Sequence, residues 1–403
     1  MIHILRQLSR GNGLPAPAFS GATSMTPAFK KLDLMFPEWG GILAQFEDRT
    51  LFQSPAWLAF IAKTQQAEPV FAVLREGPNT LGYFSGLIVT RFGLRILGSP
   101  LPGWTTSYMG MNLLPGVSRL RGLNALLRLA FGTLRCVHVE IMDRRLTVED
   151  ARELGLANRI YSGFEIDLTP RVADLFANMT SACRRCIRAA EKRGVVVEEA
   201  RDIEFAEEYY AQLRDVFHKR SLVPTYGIDR VRELITCLAD SDQLLLLRAR
   251  SPDGCCIATG IFPASHDTMY FWGGASWKDS LGYRPNEAIQ WYAMQYWRSR
   301  GVRRYDMGGG GEYKRKFGGY EIAIPWVRKS KYPAVERMRD LVQQAFRWRQ
   351  KMFGKAAELM KGTGLTQTPP GIEPGVSYRG SRGQAMGHHF RSWAGSIHKG
   401  VFP

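Results

Sequence analysis

The sequence predicts an α/β protein built from two similar domains. Two observations carry this. The 403 residues exceed one ordinary core, and an order of strands, helix, strand occurs once before residue 160 and again after it.

In the first half, Ser54-Pro55 reads as an N-cap followed by proline at the first helical position, and Trp57, Leu58 and Ile61 give that helix an apolar face. Pro69 to Arg75 reads as a strand, Gly77-Pro78-Asn79 as a turn, and a second strand continues through Val89. A Gly/Pro-rich connection leads to helical spacing from Val117 to Arg135 and a short alternating strand, Val137 to Ile141. The second half begins with helical stripes at Phe205, Tyr209, Leu213 and Val216, then at Ile228, Val231, Leu234, Ile235 and Leu238. Strands are expected over Gln243 to Arg250, Cys255 to Phe262 and Thr268 to Ala275. Arg284-Pro285-Asn286-Glu287 opens a helix that Gly301 ends, and Arg303 to Met307 follows as a strand. A long helix starts at Pro333. The expected division is a disordered extension over 1–31, a first domain over 32–160, a second over 161–330, a C-terminal helix over 331–361 and a disordered tail over 362–403.

Hydrophobic residues make up 45% of the chain and charged residues 23%, which is ordinary for a globular protein and excludes global disorder. The longest aliphatic run, Leu244 to Leu247, is far short of the roughly 20 apolar residues of a membrane-spanning helix. Six scattered cysteines give no disulfide framework, which fits a reducing, cytoplasmic compartment. The formal charge of +17 speaks to partners and not to fold. It fits an anionic small molecule, a nucleotide-linked precursor, tRNA or an anionic membrane face, and equally a chain with solvated basic tails. No acid precedes Asp33, as in a transit peptide, but Pro15 and Pro17 interrupt the stretch and a disordered extension is expected.

Three clusters stand out chemically. In the first, Trp272, Gly273, Gly274, Ala275, Ser276 and Trp277 lead through a loop containing Gly282, Tyr283 and Arg284 to the helix at Pro285-Asn286. Glycines let a backbone approach a ligand closely, and free N–H groups at a helix start favour an anion. The plainer reading is a turn at Gly282 and a helix start at Pro285. In the second, Tyr305-Asp306-Met307 runs into Gly308 to Gly311 and then Glu312-Tyr313-Lys314-Arg315-Lys316. Four glycines after a strand are costly in backbone entropy. Three consecutive cations repel unless solvated or paired with an anion. A phosphate-bearing ligand fits, and so does an exposed hairpin. In the third, Arg184, Arg188 and Lys192 recur at four-residue steps and share one helix face, for an anionic ligand or for solvent. Cys183 and Cys186 lack a second pair of ligands at zinc spacing, His388-His389 is weak, and no metal is expected. Neither a Gly-x-Ser-x-Gly elbow nor a Walker-type loop occurs.

The helix Ala182 to Gly194, the strand-loop-helix Trp272 to Trp291 and the stretch Tyr305 to Gly319 together resemble the Fem-type branch of the GNAT acyltransferases. That branch includes peptidoglycan-bridge aminoacyltransferases and proteins associated with polysaccharide synthesis. The resemblance spans residues 52–328 and implies tandem GNAT-like domains, each a mixed, mostly antiparallel sheet with flanking helices. In peptidoglycan members a Phe-Lys pair binds the phosphate of a nucleotide-linked acceptor; Tyr313-Lys314 matches it, so the resemblance gives Lys314 that role. Acetyl-coenzyme-A enzymes hold pyrophosphate on Arg/Gln-x-x-Gly-x-Gly/Ala, whereas Ser280 to Pro285 keeps one glycine of that pattern.

The expected activity is therefore acyl transfer from an acyl-CoA-type thioester to an amine or hydroxyl of a cell-envelope, polysaccharide or nucleotide-linked acceptor. Asp306 or Glu312 would supply the base and Lys314 the substrate contact. Trp272, Ser276, Trp277, Gly282, Tyr283, Arg284, Asn286, Tyr313, Arg315, Lys316, Arg184 and Arg188 would bind donor or acceptor. The rivals are an aminoacyl-tRNA-dependent transferase and an inactive precursor-binding scaffold at the membrane surface. The second rival rests on cations and aromatics between Arg337 and Lys355.

Overall fold

The computed structural model describes residues 26–219, 222–239 and 241–362. Calls on the terminal 25 residues, on His388-His389 and on the tail beyond 362 lie outside the described residues. The order is β1 (Ala28–Leu32), α1 (Phe36–Leu43), α2 (Pro55–Gln65), β2 (Glu68–Glu76), β3 (Asn79–Arg91), β4 (Leu94–Ser99), β5 (Met111–Leu113), α3 (Arg119–Arg128), β6 (His138–Met142), α4 (Val148–Glu153) and β7 (Ala157–Asp167). There follow α5 (Val172–Asn178), α6 (Ser181–Lys192), β8 (Val196–Ala200), α7 (Phe205–Lys219), α8 (Ile228–Leu238), β9 (Leu244–Arg250), β10 (Cys256–Ser265), β11 (Thr268–Tyr270), β12 (Gly273–Ser276), α9 (Pro285–Ser299), β13 (Arg304–Gly309), β14 (Tyr320–Ser330) and α10 (Pro333–Gly362).

Local chemistry sets the helix starts. The Ser54 hydroxyl accepts from Trp57 N–H at 3.3 Å and Pro55 fills the first turn of α2. Thr180 caps α6 in the same way through Cys183 N–H at 3.2 Å. Residues 28–31, expected in the disordered extension, instead pair with β2 as part of the edge strand β1.

Each half contains one parallel strand pair bridged by a helix. In the first, β4 and β6 run parallel with α3 between them; in the second, β11 and β13 run parallel with α9 between them. The other pairings are antiparallel, so the sheet is mixed, as expected for the fold class. The expectation of two separate sheets meeting at an interface is corrected. The strands form one continuous sheet in the order β1-β2-β3-β4-β6-β14-β7-β13-β11-β10-β9-β8, with β12 on β10 and β5 on β3. The join is β14, which pairs with β6 along one edge and β7 along the other. Strand β7 itself runs through the expected boundary at 160/161.

One apolar cluster belongs to the first half, around Phe84, Leu123 and Ile141, and another lies under α6 and α9, around Ile187, Ile289 and Met307. A third joins the halves: Phe52, Trp57 and Phe60 share it with Tyr209, Leu234 and Trp272. Helix α10 is tied to the sheet by Arg339, whose Nε donates to Glu140 at 2.7 Å, while Trp326 Nε1 reaches the same carboxylate at 2.8 Å. Burial alone would raise the Glu140 carboxyl, but hydrogen bonding with His138 and the charge of Arg339 outweigh it and pull it down to about 2.

Candidate active site

The segment Thr268 to Ala275, expected as one strand, is two. β11 pairs with β13 as far as Tyr270 opposite Asp306, and Phe271 N–H still reaches the Asp306 carbonyl at 2.9 Å. Beyond that point β12 turns to pair with β10. The two parallel strands therefore splay apart, with Asp306 at the apex. Among the described strands β12 pairs with β10 alone, and the backbone groups of its other edge need partners. Glycines are required here by space: a Cβ on Gly273 would lie 2.3 Å from the Tyr209 hydroxyl, and one on Gly309 would lie 2.6 Å from the Tyr161 hydroxyl. Gly308 adopts a left-handed φ of 72° and a Cβ there would meet only the Phe271 carbonyl, at 3.9 Å.

Asp306 is 2% exposed. Its Oδ1 accepts from Gly308 N–H at 2.7 Å, and its Oδ2 has no hydrogen-bond partner among the described residues. Burial pushes its carboxyl up, against the Gly308 N–H and the charge of Arg144. Tyr108, Tyr161 and Tyr270 surround it, each with a hydroxyl held above its ordinary pKa, first by burial and then by neighbours that include the Asp306 charge. Directly across the ladder is Glu165, which takes Arg144 at 2.8 Å and the Tyr320 hydroxyl at 2.6 Å. Arg144 also donates to Tyr108 at 3.1 Å. Glu165, Arg144, Tyr108 and Tyr161 escape the sequence reading, because only the pairing of β7 with β13 and the packing of the first half bring them to Asp306. An acidic residue at 165 inside the apolar run Gly163 to Ile166 is the signal that was available.

The short helical turn Glu312–Phe317 sends its three cations in different directions. Lys314 is 1% exposed, and its ammonium donates to the carbonyls of Met307, at 2.6 Å, and Gly309. Burial pushes it down to about 8, opposed by the Asp306 charge. The expectation gave Lys314 an anionic partner; among the described residues both of its bonds close the end of β13 from within. Arg315 pairs with Glu312 at 2.8 Å and Glu321 at 3.1 Å, and Lys316 pairs with Glu287 at 2.7 Å. Both cations are engaged in ion pairs. Glu312 sits in that rim ion pair with a side chain 82% exposed, which leaves Asp306 as the buried carboxylate of the two. Tyr313 packs against the core beneath α9.

Around the start of α9, the Ser276 hydroxyl accepts from Asn286 Nδ2 at 3.1 Å. Trp277 is 37% exposed at the rim, while Trp272 is buried between Phe60, Tyr209 and Tyr226 rather than open to a ligand. Gly282 is not demanded by space or by a left-handed φ; Arg284 takes that conformation, with φ 61°. Tyr283 packs on the core, and Arg284 is exposed. No side chain caps the first turn of α9. The loop is held to α6, since Arg193 donates to the Gly282 carbonyl at 2.7 Å. On that helix Arg184 bonds the carbonyls of Ala177, at 2.7 Å, and Met179, so it braces the turn before α6. Arg188 is exposed and stacks on Phe176 at 5.2 Å.

Residues 177–315 match the family described as the acetyltransferase (GNAT) domain. This stretch holds the splayed strands, the uncapped helix and Asp306. That match places a GNAT domain within residues 177–315. The fold is similar to the crystal structure of FemX, at 14% identity over 73% of this chain and 96% of FemX, with a TM-score of 0.60. It is also similar to a conserved protein of unknown function from Bacteroides thetaiotaomicron, at 12% identity over 75% of this chain and all of that one, with a TM-score of 0.51. No curated protein matches the chain by sequence. The GNAT domain makes the protein a transferase. Among the described residues no cluster of three or more His, Cys, Asp or Glu is placed to hold a metal, and no helix is long and apolar enough to cross a membrane.

Proposed function

We propose that this GNAT protein transfers an acyl group from an acyl thioester of the coenzyme A type to an amine or hydroxyl of a cell-envelope, polysaccharide or nucleotide-linked acceptor. The observation that carries the reading is the splay of β12 from β13 with Asp306 at its apex. The thioester arm lies along the open edge of β12. The phosphates of its carrier reach the uncapped first turn of α9, flanked by exposed Lys278 and Arg284. Gly308, where a Cβ would meet only the Phe271 carbonyl at 3.9 Å, leaves room for the reacting carbonyl.

The acceptor nitrogen or oxygen bonds to the acyl carbon, the carbon–sulfur bond breaks, and no covalent enzyme intermediate is needed. The acceptor's proton passes to Asp306, directly or through the Tyr161 hydroxyl. A carboxylate whose pKa is raised by burial is a better base than a solvated one. Lys314 is a positioning residue: it fixes the carbonyls of Met307 and Gly309, and so the wall of the slot.

A second reading, an aminoacyl-tRNA donor, is favoured by one observation. Exposed Arg185, Arg188 and Lys192 line α6, and exposed Arg193 at its C-terminal end meets the loop at Gly282, which suits a run of phosphates. Mass spectrometry and the 260/280 nm absorbance ratio of the purified protein separate the two: a bound coenzyme A species supports the first reading, and bound RNA overturns it in favour of the second.

A further inference from the structure

Helix α10 leaves the body of the protein with an apolar stripe that no other described residue covers. Its first turns are fixed: Arg339 is 1% exposed on Glu140, and Glu336 takes Arg328 at 2.8 Å and the Ser330 hydroxyl at 2.6 Å. Beyond them Met338, Leu341, Trp348 and Met352 are 40%, 64%, 66% and 47% exposed. With exposed Ala345 they follow each other at steps of three and four residues, which places them on one face of the helix. A tryptophan, a leucine and two methionines in one exposed stripe are not the scattered apolar residues of an ordinary surface.

The charge of the segment says what covers it. Residues 341–357 contain four cations, Arg347, Arg349, Lys351 and Lys355, and no aspartate or glutamate. Over α10 as a whole seven cations stand against Glu336, Asp340 and Glu358, so two copies packed together would join two segments of net positive charge, which disfavours a second copy as the occupant. An anionic bilayer surface meets both features: its acyl boundary accepts Trp, Leu and Met, and its headgroups accept the excess positive charge of the segment. The helix is too polar to span the bilayer.

We infer that α10 from Met338 onward is an interfacial helix that docks the transferase on an anionic phospholipid surface. Its rigid attachment through Arg339 carries the GNAT domain with it. The inference does not depend on which donor the active site uses.

The test is co-sedimentation of the full chain with vesicles of phosphatidylcholine alone and with about 30 mol% phosphatidylglycerol, beside the double variant Leu341→Glu, Trp348→Glu. Both positions are exposed, so the variant keeps its fold, and its melting temperature verifies this. The expected result is binding to the anionic vesicles that is lost at about 0.5 M salt and on neutral vesicles. The double variant should bind at least roughly tenfold more weakly. Equal binding by wild type and variant, or binding to neither vesicle, overturns the proposal. So does a wild-type dimer, seen by sedimentation velocity, that the variant converts to monomer while vesicle binding is absent.

Discussion

Asp306 and Glu165 stand directly opposite each other in the antiparallel β13–β7 ladder, each 2% exposed. Like charges so placed repel. One cation is supplied for the pair, and it goes to Glu165: Arg144 lies 2.8 Å from its carboxylate. Asp306 keeps a backbone N–H on one oxygen and, among the described residues, no partner on the other. A buried carboxylate treated in this way is a poor contributor to stability and a good acceptor of a proton.

Asp306→Asn is therefore expected to lower kcat/KM by roughly a hundredfold to ten-thousandfold while leaving the melting temperature equal or higher, because an amide is less costly to bury than an unpaired carboxylate. Kinetics and thermal unfolding of one preparation check both. Activity and stability falling together would assign Asp306 a structural role.

The Arg144–Glu165 pair should behave as a buried ion pair does. Arg144→Met leaves two opposed carboxylates without a cation and is expected to cost about 3 kcal/mol, of which adding Glu165→Gln recovers most. Chemical denaturation of the single and double variants measures this. A double variant no more stable than Arg144→Met would show that the pair is not coupled.

Lys314 gives a pH signature. Its folded-state pKa is lowered from 10.5 to about 8. The unfolded chain thus holds a proton there that the folded chain has released. The cost of burying the ammonium is fully present below pH 8 and is relieved as pH rises from about 8 toward 10.5. Denaturant unfolding of wild type and Lys314→Met across that window should show wild type gaining on the variant by up to roughly 3 kcal/mol. At pH 7 the variant is expected to be the less stable protein, because the carbonyls of Met307 and Gly309 lose their donor, at roughly 1–3 kcal/mol per buried group. Parallel pH profiles would contradict the buried placement.

Much of this was legible in the sequence, and the failures have physical causes. Pro285 and Ser54-Pro55 marked helix starts because caps are local chemistry. The glycine run from Gly308 drew attention to the end of β13 because its cost in backbone entropy demands a reason. The continuous sheet was not legible, since an edge strand does not name its partner; nothing in Tyr320 to Ser330 says that it closes against both β6 and β7. Lys314, Arg315 and Lys316 look alike as neighbours in sequence. Only the helical turn that carries them sends the first inward and the others to Glu312, Glu321 and Glu287.

Arg188 separates the donors. It is exposed on α6 and stacks on Phe176 without an ion pair among the described contacts. Arg188→Glu should leave the melting temperature nearly unchanged, since exposed charges contribute little. If the carrier is RNA, the same change should lower affinity and reduce the steepness of its salt dependence by about one to two phosphate contacts. Coenzyme A binding should respond less, and filter binding against calorimetry with the two ligands distinguishes them.

The most direct measurement is thiol release from an acyl-CoA in the presence of an amine acceptor, followed by a thiol-reactive dye, for wild type and Asp306→Asn. Acceptor-dependent release by wild type, falling at least roughly a hundredfold in a folded Asp306→Asn, is the expected result. Release at the wild-type rate in the variant, or none from the wild type while charged tRNA is consumed, would contradict it.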